Sequence, residues 1–215
     1  DILDLLFSNH PEDCLSCEKS GDCKLQDYCF EYGLVKGSYE GEKKDYKKDY
    51  SNHFYTYDPN KCILCGKCVR VCSELQCTDA IGLEGRGFDT KVVTPFDLGL
   101  ATSKCVSCGN CVAACPVGAL MPKRKGKIRY WELERVKTTC SYCGVGCQIE
   151  LLVKGNKVVG VEPARGKANN GLLCVKGRFA YPFINHPDRL KTPLIKKNGK
   201  FEEATWDEAY RVIVD

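Results

Sequence analysis

Two stretches of the chain match almost position for position: Lys61-Cys-Ile-Leu-Cys-Gly-Lys-Cys-Val-Arg-Val-Cys72 and Lys104-Cys-Val-Ser-Cys-Gly-Asn-Cys-Val-Ala-Ala-Cys115. Both have the cysteine spacing C-x2-C-x2-C-x3-C. Each is followed by a small and an apolar residue, Ala80-Ile81 and Ala119-Leu120. Self-similarity of this kind predicts a duplicated small structural unit.

The spacing is that of bacterial ferredoxins, which hold two 4Fe–4S clusters. Three cysteines on a compact loop reach three corners of a cubane, and backbone amides of the loop can donate to the sulfurs. The fourth cysteine of each run ligates the other cluster. The expected ligand sets are Cys62, Cys65, Cys68 and Cys115 for one cluster, and Cys105, Cys108, Cys111 and Cys72 for the other. Ser73 follows Cys72 where proline would be typical, which weakens the helix-end signal but removes no ligand.

A third group near the start of the sequence is His10-x3-Cys14-x2-Cys17-x5-Cys23. Three cysteines leave a cubane one ligand short, and the neutral imidazole of His10 is an acceptable fourth ligand. From the residues alone, a surface histidine beside a zinc site is an equal alternative. With Gly21-Asp-Cys-Lys-Leu-Gln-Asp27, however, the group resembles the histidine-ligated cluster segment of the large iron–sulfur subunit of respiratory complex I, iron-only hydrogenases and NAD-linked formate dehydrogenases. That resemblance implies that His10 is a cluster ligand.

The last group is Cys140-x2-Cys143-x3-Cys147, with Cys174 following after a gap of 26 residues. It lies in Thr138-Thr-Cys-Ser-Tyr-Cys-Gly-Val-Gly-Cys147 and Leu173-Cys-Val-Lys-Gly-Arg178, which resemble the amino-terminal cluster domain of molybdopterin-guanine-dinucleotide oxidoreductases. The resemblance implies a fourth cluster. It also implies that Lys176 helps to carry electrons between pterin and cluster. The alternative for Lys176 is an ordinary solvated lysine.

Four cubanes need sixteen ligands, and the chain has 17 cysteines and the candidate His10. Leaving out Cys29 and Cys77 gives sixteen, and we expect both of these thiols to be small buried hydrophobes. An odd cysteine count and the lack of an apolar leader-like stretch argue against a disulfide scaffold. Structural zinc sites usually combine cysteines in pairs, so zinc is the weaker interpretation of the repeat.

The rest of the composition restricts the partners. The formal net charge of +4 comes from 32 basic and 28 acidic residues, and no basic stripe is interleaved with aromatic residues. Binding to nucleic acid is therefore not expected. No apolar run approaches the length needed to cross a bilayer, so no membrane span is expected either.

These patterns predict an α+β fold of small cluster-binding units in tandem. The expected domains are a histidine/cysteine cluster segment with linker (1–50), a two-cluster ferredoxin domain (51–130) and an incomplete molybdopterin-oxidoreductase cluster domain (131–215). The expected local features are an amphipathic helix over Asp1–Asn9, a solvated linker over Lys36–Lys48, a basic boundary over Lys123–Lys127, strands at Gln148–Val153 and Lys157–Val161, and a helix opened by a capping box at Thr205–Glu208.

The order of these modules resembles the catalytic subunit of NAD-linked or electron-bifurcating formate dehydrogenases. The resemblance implies a cytoplasmic enzyme that interconverts formate and carbon dioxide at a molybdenum or tungsten bis-molybdopterin guanine dinucleotide, the chain being part of a longer protein. It also implies a hetero-oligomer with flavin- and iron–sulfur-containing subunits. Two alternatives remain open, namely another molybdopterin oxidoreductase such as a nitrate reductase, and a non-catalytic zinc-binding scaffold.

Overall fold

The protein consists of short helices and small antiparallel sheets, which confirms the predicted α+β class. A computed structural model describes residues 1–124, 126 and 128–214. The helices are α1 (Ile2–Ser8), α2 (Lys24–Glu31), α3 (Lys67–Arg70), α4 (Asn110–Ala114), α5 (Val175–Phe179) and α6 (Trp206–Val214). The strands are β1 (Tyr55–Tyr57), β2 (Gly82–Glu84), β3 (Lys91–Val93), β4 (Leu120–Pro122), β5 (Glu134–Thr139), β6 (Gln148–Lys154), β7 (Lys157–Pro163), β8 (Leu194–Lys197) and β9 (Lys200–Glu203). Within the described ranges, no helix has the length and apolar character required to cross a membrane.

The chain divides into two compact units, residues 1–181 and the residues from Pro182 onward. The domain boundaries predicted after residues 50 and 130 both fall inside the first unit and stay predictions. Of the basic boundary expected at Lys123–Lys127, Lys125 and Lys127 lie outside the described residues.

The expected amphipathic helix at the start of the chain is present as α1. Phe7 of α1 and Leu25 of α2 are both buried in the main core of the first unit. Cys29, also in α2, is 7% exposed and belongs to the same core, which confirms its prediction as a buried hydrophobe.

The predicted linker at 36–48 is mostly exposed and has no regular helix or strand, yet it is tied to the first module. The backbone N–H of Ser38 donates to Asp4 Oδ1 at 2.9 Å, and that of Tyr39 donates to Ser8 Oγ at 3.2 Å. The linker is therefore held along α1 by hydrogen bonds to these side chains. The side-chain oxygens replace the water that the backbone amides of the linker would otherwise bind.

The two cysteine runs adopt the same loop geometry. Leu64 and Ser107, two residues after the first cysteine of each run, both have left-handed backbones with φ of 55° and 54°. Gly66 and Gly109 follow with φ of 69° and 70°, and α3 and α4 begin directly after them. Glycine is favoured there because a left-handed backbone carries no steric cost for it.

The runs differ where their sequences differ. Pro116 ends the second run, and Cys115 before it is extended, as expected for a residue preceding proline. Ser73 imposes no such restriction on the first run, which continues as a π-helical turn over Val71–Leu75. Cys77 then has a left-handed backbone and an exposed side chain, so its prediction as a buried residue is wrong.

Strands β1 and β4 flank the duplicated unit and close it. They pair antiparallel with Tyr55 opposite Pro122 and Tyr57 opposite Leu120. The insertion between the cysteine runs forms a second small sheet, in which β2 and β3 pair antiparallel. The first module shares one apolar core with the duplicated unit, and this core includes Val92, Val117 and Leu120.

The predicted strands near residue 150 form β6 and β7, joined by a turn in which Gly155 and Asn156 both have positive φ. Turns of this kind suit the right-handed twist of a hairpin. Strand β5, which was not predicted because its pattern is masked by charged side chains, pairs with β6 to complete a three-stranded sheet. A smaller core of Ile149, Val161 and Leu173 lies on it.

In the second unit, β8 and β9 form a hairpin and α6 begins at Trp206. The predicted capping box is present. The N–H of Glu208 donates to Thr205 Oγ1 at 3.2 Å, and the N–H of Thr205 donates to Glu208 Oε2 at 2.8 Å.

Helix α5 packs against the second cysteine run within the first unit. The ring of Phe179 stacks on Phe54 with centroids 4.9 Å apart and an interplanar angle of 12°. A Cβ atom added to Gly109 would lie 2.7 Å from Phe179 Cζ and would also collide with Arg178, whereas one added to Gly66 would meet nothing within 4 Å. The absence of a side chain at Gly109 therefore allows both the left-handed loop and the close packing of α5.

This contrast gives a matched pair of substitutions. Gly66→Ala and Gly109→Ala both place a side chain on a left-handed backbone, at a cost of about 1–2 kcal/mol. Gly109→Ala additionally overpacks the α5 contact, which costs about 1–3 kcal/mol more. We expect thermal unfolding of the cluster-loaded protein to show a lower Tm for Gly109→Ala than for Gly66→Ala. Equal melting temperatures would contradict the contact.

Candidate iron–sulfur cluster sites

The predicted ligands fall into four groups within the first unit. They are site 1 (His10, Cys14, Cys17, Cys23), site 2 (Cys62, Cys65, Cys68, Cys115), site 3 (Cys72, Cys105, Cys108, Cys111) and site 4 (Cys140, Cys143, Cys147, Cys174). All 17 cysteines lie in the described ranges and all are free thiols.

Site 2 gathers three cysteines of the first run with the last cysteine of the second run. The pKa of the Cys68 thiol is raised to about 12, first by burial and then by the neighbouring charges of Cys62, Cys115 and Cys65. The backbone N–H of Leu64 donates to Cys62 Sγ at 3.4 Å. The fold therefore brings Cys115 to the first run, in the interleaved arrangement that the spacing predicts.

Site 3 is the counterpart of site 2. Burial raises the pKa of Cys108, and Cys105 and Cys72 are among the neighbouring charges that raise it further. The N–H of Ser107 donates to Cys105 Sγ at 3.3 Å, and the N–H of Ala80 donates to Cys72 Sγ at 3.4 Å. A cavity of about 460 Å³ is lined by all four cysteines of this site. Four cysteine sulfurs as ligands, backbone N–H groups as hydrogen-bond donors and a cavity between them together fit a cubane cluster.

Two tyrosines of β1, for which no role was predicted, lie against these sites. Tyr55 is 1% exposed, and its hydroxyl is 3.1 Å from Cys105 Sγ. Burial raises the pKa of Tyr57, with the charge of Cys62 next in effect. Residues two apart on a strand share one face, so alternation along Tyr55–Tyr57 places one phenol at each site. The alternation of the two tyrosines was visible in the sequence. Which cluster site each tyrosine faces could not be predicted without the register of β1.

Site 4 lies beside the three-stranded sheet. Burial raises the pKa of Cys147, followed by the charges of Cys140, Cys143 and Cys174, so the four thiols are neighbours. The N–H of Cys140 donates to the carbonyl of Cys147 at 2.8 Å and closes the loop. Cys143 and Cys174 are exposed. Lys176 follows in α5, and its side chain is exposed as well.

Site 1 combines three cysteines with a buried histidine. Burial raises the pKa of Cys23, and the charges of Cys17 and Cys14 raise it too. His10 is 7% exposed, so it is not a surface histidine. Burial lowers the pKa of His10, with the charge of Lys61 next in effect, and this favours the neutral imidazole that metal ligation requires. The charged groups acting on His10 are Lys61, Asp13 and Asp58, so its approach to the cysteines stays a prediction.

The described residues contain no group of three or more histidine, cysteine or acidic side chains that encloses a single metal ion. In a cubane each cysteine binds a different iron, so the ligands surround the cluster at its corners instead of converging on one point.

Sites 1 and 2 are connected through the residues that follow their last cysteines. The N–H of Lys24, next to Cys23, donates to the carbonyl of Pro116, next to Cys115, at 2.9 Å. A Cβ atom on Gly118 would lie 3.0 Å from Cys17 Sγ. Lys61 is buried at this connection and pairs with the Asp13 carboxylate at 2.7 Å.

Sites 3 and 4 are connected by the side chain of Asn110, which precedes Cys111. Its Oδ1 accepts from the N–H of Leu173 at 3.1 Å, and its Nδ2 donates to the carbonyl of Leu173 at 3.1 Å. Leu173 precedes Cys174 in the chain. Since Cys115 of the second run lies at site 2 and Cys72 of the first run lies at site 3, the four candidate sites form one contiguous series in the order 4, 3, 2 and 1.

Four protein-family models match consecutive parts of the chain. They are the NADH-ubiquinone oxidoreductase-G iron–sulfur binding region (1–37), the ferredoxin-like domain of NADH-quinone oxidoreductase subunit 3 (54–121), the molybdopterin oxidoreductase Fe4S4 domain (133–186) and the molybdopterin oxidoreductase domain (189–215).

Similar curated proteins come from Staphylococcus aureus. Proteins of strains Mu50 and USA300, each named "Putative formate dehydrogenase", are 33% identical to this chain over an alignment 256 positions long that includes 100% of this chain. The chain spans 26% of the length of each of these relatives. Among solved structures, an NAD+-reducing NiFe hydrogenase in its H2-reduced state matches 57% of this chain and 52% of its own, with 32% identity and a TM-score of 0.53.

Cys72 and Cys77 allow a direct test of the ligand assignment. Cys72→Ala removes one corner of site 3 and is expected to lower the iron content by about four atoms per chain, the content of one cubane. Cys77→Ala is the matched control, because Cys77 is exposed and lies five residues further along the same segment. Anaerobic iron and acid-labile sulfide analysis measures both variants. Full iron content in Cys72→Ala, or an equal loss in Cys77→Ala, would refute the assignment.

Proposed function

Because this chain is an iron–sulfur segment of the molybdopterin oxidoreductase type, we propose that it relays electrons through four 4Fe–4S clusters within a formate dehydrogenase. The observation that carries the proposal is the contiguous series of sites 4, 3, 2 and 1. Each site is joined to the next by a ligand exchange or by a hydrogen bond between residues adjacent to ligands. Such connections keep neighbouring sites close, as single-electron transfer between clusters requires.

The direction of the series is supported by the modules at its ends. Site 4 lies in the part matched by the molybdopterin oxidoreductase Fe4S4 domain, and site 1 lies in the part matched by the NADH-ubiquinone oxidoreductase-G region. Electrons from formate would therefore enter at site 4 and leave at site 1. The bound molybdenum or tungsten bis-pterin supplies the two-electron chemistry on formate, and this chain divides the pair into single-electron steps.

The protein can tune each step through the surroundings of the sulfurs. Sites 2 and 3 each contain one buried cysteine, Cys68 and Cys111, and both sites receive backbone N–H donors. Site 3 also has the Tyr55 hydroxyl 3.1 Å from Cys105 Sγ. Hydrogen bonds to the sulfurs and burial both shift cluster potentials. At site 1, a neutral His10 in place of a thiolate would remove one negative charge and favour the reduced cluster, as suits an exit site.

The exit from site 1 is proposed to serve flavin- and iron–sulfur-containing subunits in a hetero-oligomer. Residues around site 1 expose large apolar side chains, including Leu5, Leu15 and Phe30. A contiguous exposed apolar surface is typical of a protein interface, and these side chains are the candidates for one on this module. A set of free thiols that serve as metal ligands suits a reducing compartment, which supports the proposed cytoplasmic location.

The proposal is tested on the full-length protein, purified anaerobically. This chain should account for about sixteen irons with matching acid-labile sulfide, four cubanes in all. Formate should bleach the visible absorption of the clusters, and nitrate should not reoxidise them. Zinc in place of iron and sulfide would overturn the electron relay. Reoxidation by nitrate would instead favour a nitrate reductase.

Lys176 is expected to assist the first electron transfer, because an ammonium next to site 4 stabilises the negative charge that arrives there. Lys176→Ala should slow reduction of the clusters by formate at least about tenfold, which corresponds to about 1.4 kcal/mol in the barrier. Reduction by dithionite should be unchanged, and Lys176→Arg should retain most of the rate. Lys167→Ala is the control, since Lys167 is an exposed lysine of the same module. If Lys176→Ala and Lys167→Ala behave alike, Lys176 is only a solvated lysine.

A further inference from the structure

We propose that Arg178 is a positioning residue that joins sites 3 and 4 and raises the reduction potential of the site 3 cluster. The negative charge of that cluster compensates the positive charge of Arg178. The inference rests on the proposed function only in requiring that site 3 holds a cluster. Beyond that function, the inference assigns a fixed positive charge to the electron transfer from site 4, in the molybdopterin-type module, to site 3, in the ferredoxin-like unit.

Arg178 reaches from α5 into the cysteine loop of the second run. Its Nε donates to the carbonyl of Cys108 at 3.0 Å, and its Nη2 donates to Asn110 Oδ1 at 3.0 Å. Its own N–H donates to the carbonyl of Cys174 at 3.1 Å. One residue thus touches the backbone of a site 3 ligand and of a site 4 ligand.

The guanidinium is buried without a carboxylate partner. Arg178 is 4% exposed, and no described acidic side chain lies within 4.0 Å of it. Both of its side-chain acceptors are neutral amide or carbonyl oxygens. A buried charge is costly unless an opposite charge compensates it, so a counter-charge is required here.

The negative groups with the largest electrostatic effect on Arg178 belong to site 3, whose Cys108 also accepts a hydrogen bond from Arg178 through its carbonyl. The charges that act on Arg178 are, in order, those of Cys108, Cys111 and Glu162. Glu162 is already engaged by Arg135 at 2.5 Å. Lys61, the buried cation between sites 1 and 2, differs in having its own carboxylate, Asp13, at 2.7 Å. Arg178 therefore depends on site 3 for its compensation, whereas Lys61 does not depend on site 2.

The consequence for electron transfer follows from charge alone. A 4Fe–4S cluster with four thiolate ligands is negative in both oxidation states, and reduction adds one electron and one further negative charge. A fixed cation beside the ligands stabilises the reduced form more than the oxidised form, because the attraction grows with the charge. In the low dielectric of a buried site, the potential of site 3 is raised and transfer from site 4 to site 3 is favoured.

Local features hold the guanidinium in place. Asn110 is 3% exposed and accepts from both Arg178 and Leu173 through Oδ1. Gly109 leaves the space that the Arg178 side chain crosses. Phe179, the next residue, stacks on Phe54 at 4.9 Å and anchors α5 against the ferredoxin-like unit. Each contact restricts where the positive charge can lie.

The test is a redox titration of the full-length enzyme with dithionite and mediators, followed by electron paramagnetic resonance. The site 3 signal is identified as the one that Cys72→Ala removes. With Arg178→Met, which replaces the unbranched aliphatic part of the side chain and removes its charge, the ratio of reduced to oxidised site 3 cluster at a fixed potential should fall about tenfold. For one electron this is a shift of about 59 mV to more negative potential. The other three potentials should move less.

Two further variants separate charge from packing. Arg178→Lys keeps the charge and should restore most of the potential, and Arg165→Met, which removes an exposed arginine of the same module, should change nothing. An unchanged site 3 potential in Arg178→Met, or an equal shift in Arg178→Lys, would overturn the proposal. If Arg178→Met loses the cluster, Arg178→Gln, which is neutral but keeps hydrogen-bond donors, decides in its place. The titration uses no formate, so it reports on Arg178 even if the enzyme does not oxidise formate. If the wild-type protein lacks the signal that Cys72→Ala should remove, the proposed electron relay itself is overturned.

Discussion

The exchange of Cys72 and Cys115 between the two cysteine runs is the constraint on which the centre of the molecule depends. In the proposed assignment each run supplies three ligands locally and its fourth to the other site, and the fold places the last cysteine of each run beside the other loop. Strands β1 and β4 pair at the ends of the duplicated unit, and the apolar core continues into the first module. With this geometry in place, the segments on either side need only reach the nearest loop to extend the series of sites.

Placing four groups of sulfur ligands inside a small protein creates an electrostatic problem that several residues solve together. Burial, with the charges of neighbouring cysteines next in effect, raises the pKa to about 12 for both Cys68 and Cys111, so the thiolate forms depend on nearby donors and positive charge. The compensation is divided among backbone N–H groups of the left-handed loops, the Tyr55 hydroxyl and the cations Lys61 and Arg178. Metal binding to such sites also contributes to folding, because the ligands cannot be buried favourably without it.

Much of the local structure was predictable because its causes are local. The α1 helix, the β6–β7 hairpin and the capping box of α6 follow from periodicity, turn residues and side-chain caps within a few positions of each other. Three features required more than local pattern. Strand β5 is defined by its pairing with β6, the linker is held by Asp4 and Ser8 from α1, and Cys77 is turned outward by the π-helical turn before it.

The sequence by itself determined which side chains can serve as ligands, because cluster chemistry demands cysteine at strict spacings, and spacing along a chain is a property of sequence. It also determined the kinds of module present and their order. The spacing predicted that sites 2 and 3 lie together, but only the tertiary structure decided that sites 1 and 4 lie next to this pair. The connections through Lys24 and Pro116, and through Asn110 and Leu173, join residues that are 92 and 63 positions apart. The role of Arg178 was likewise decided by the tertiary structure, because the need for a counter-charge arises only when packing has removed the guanidinium from water.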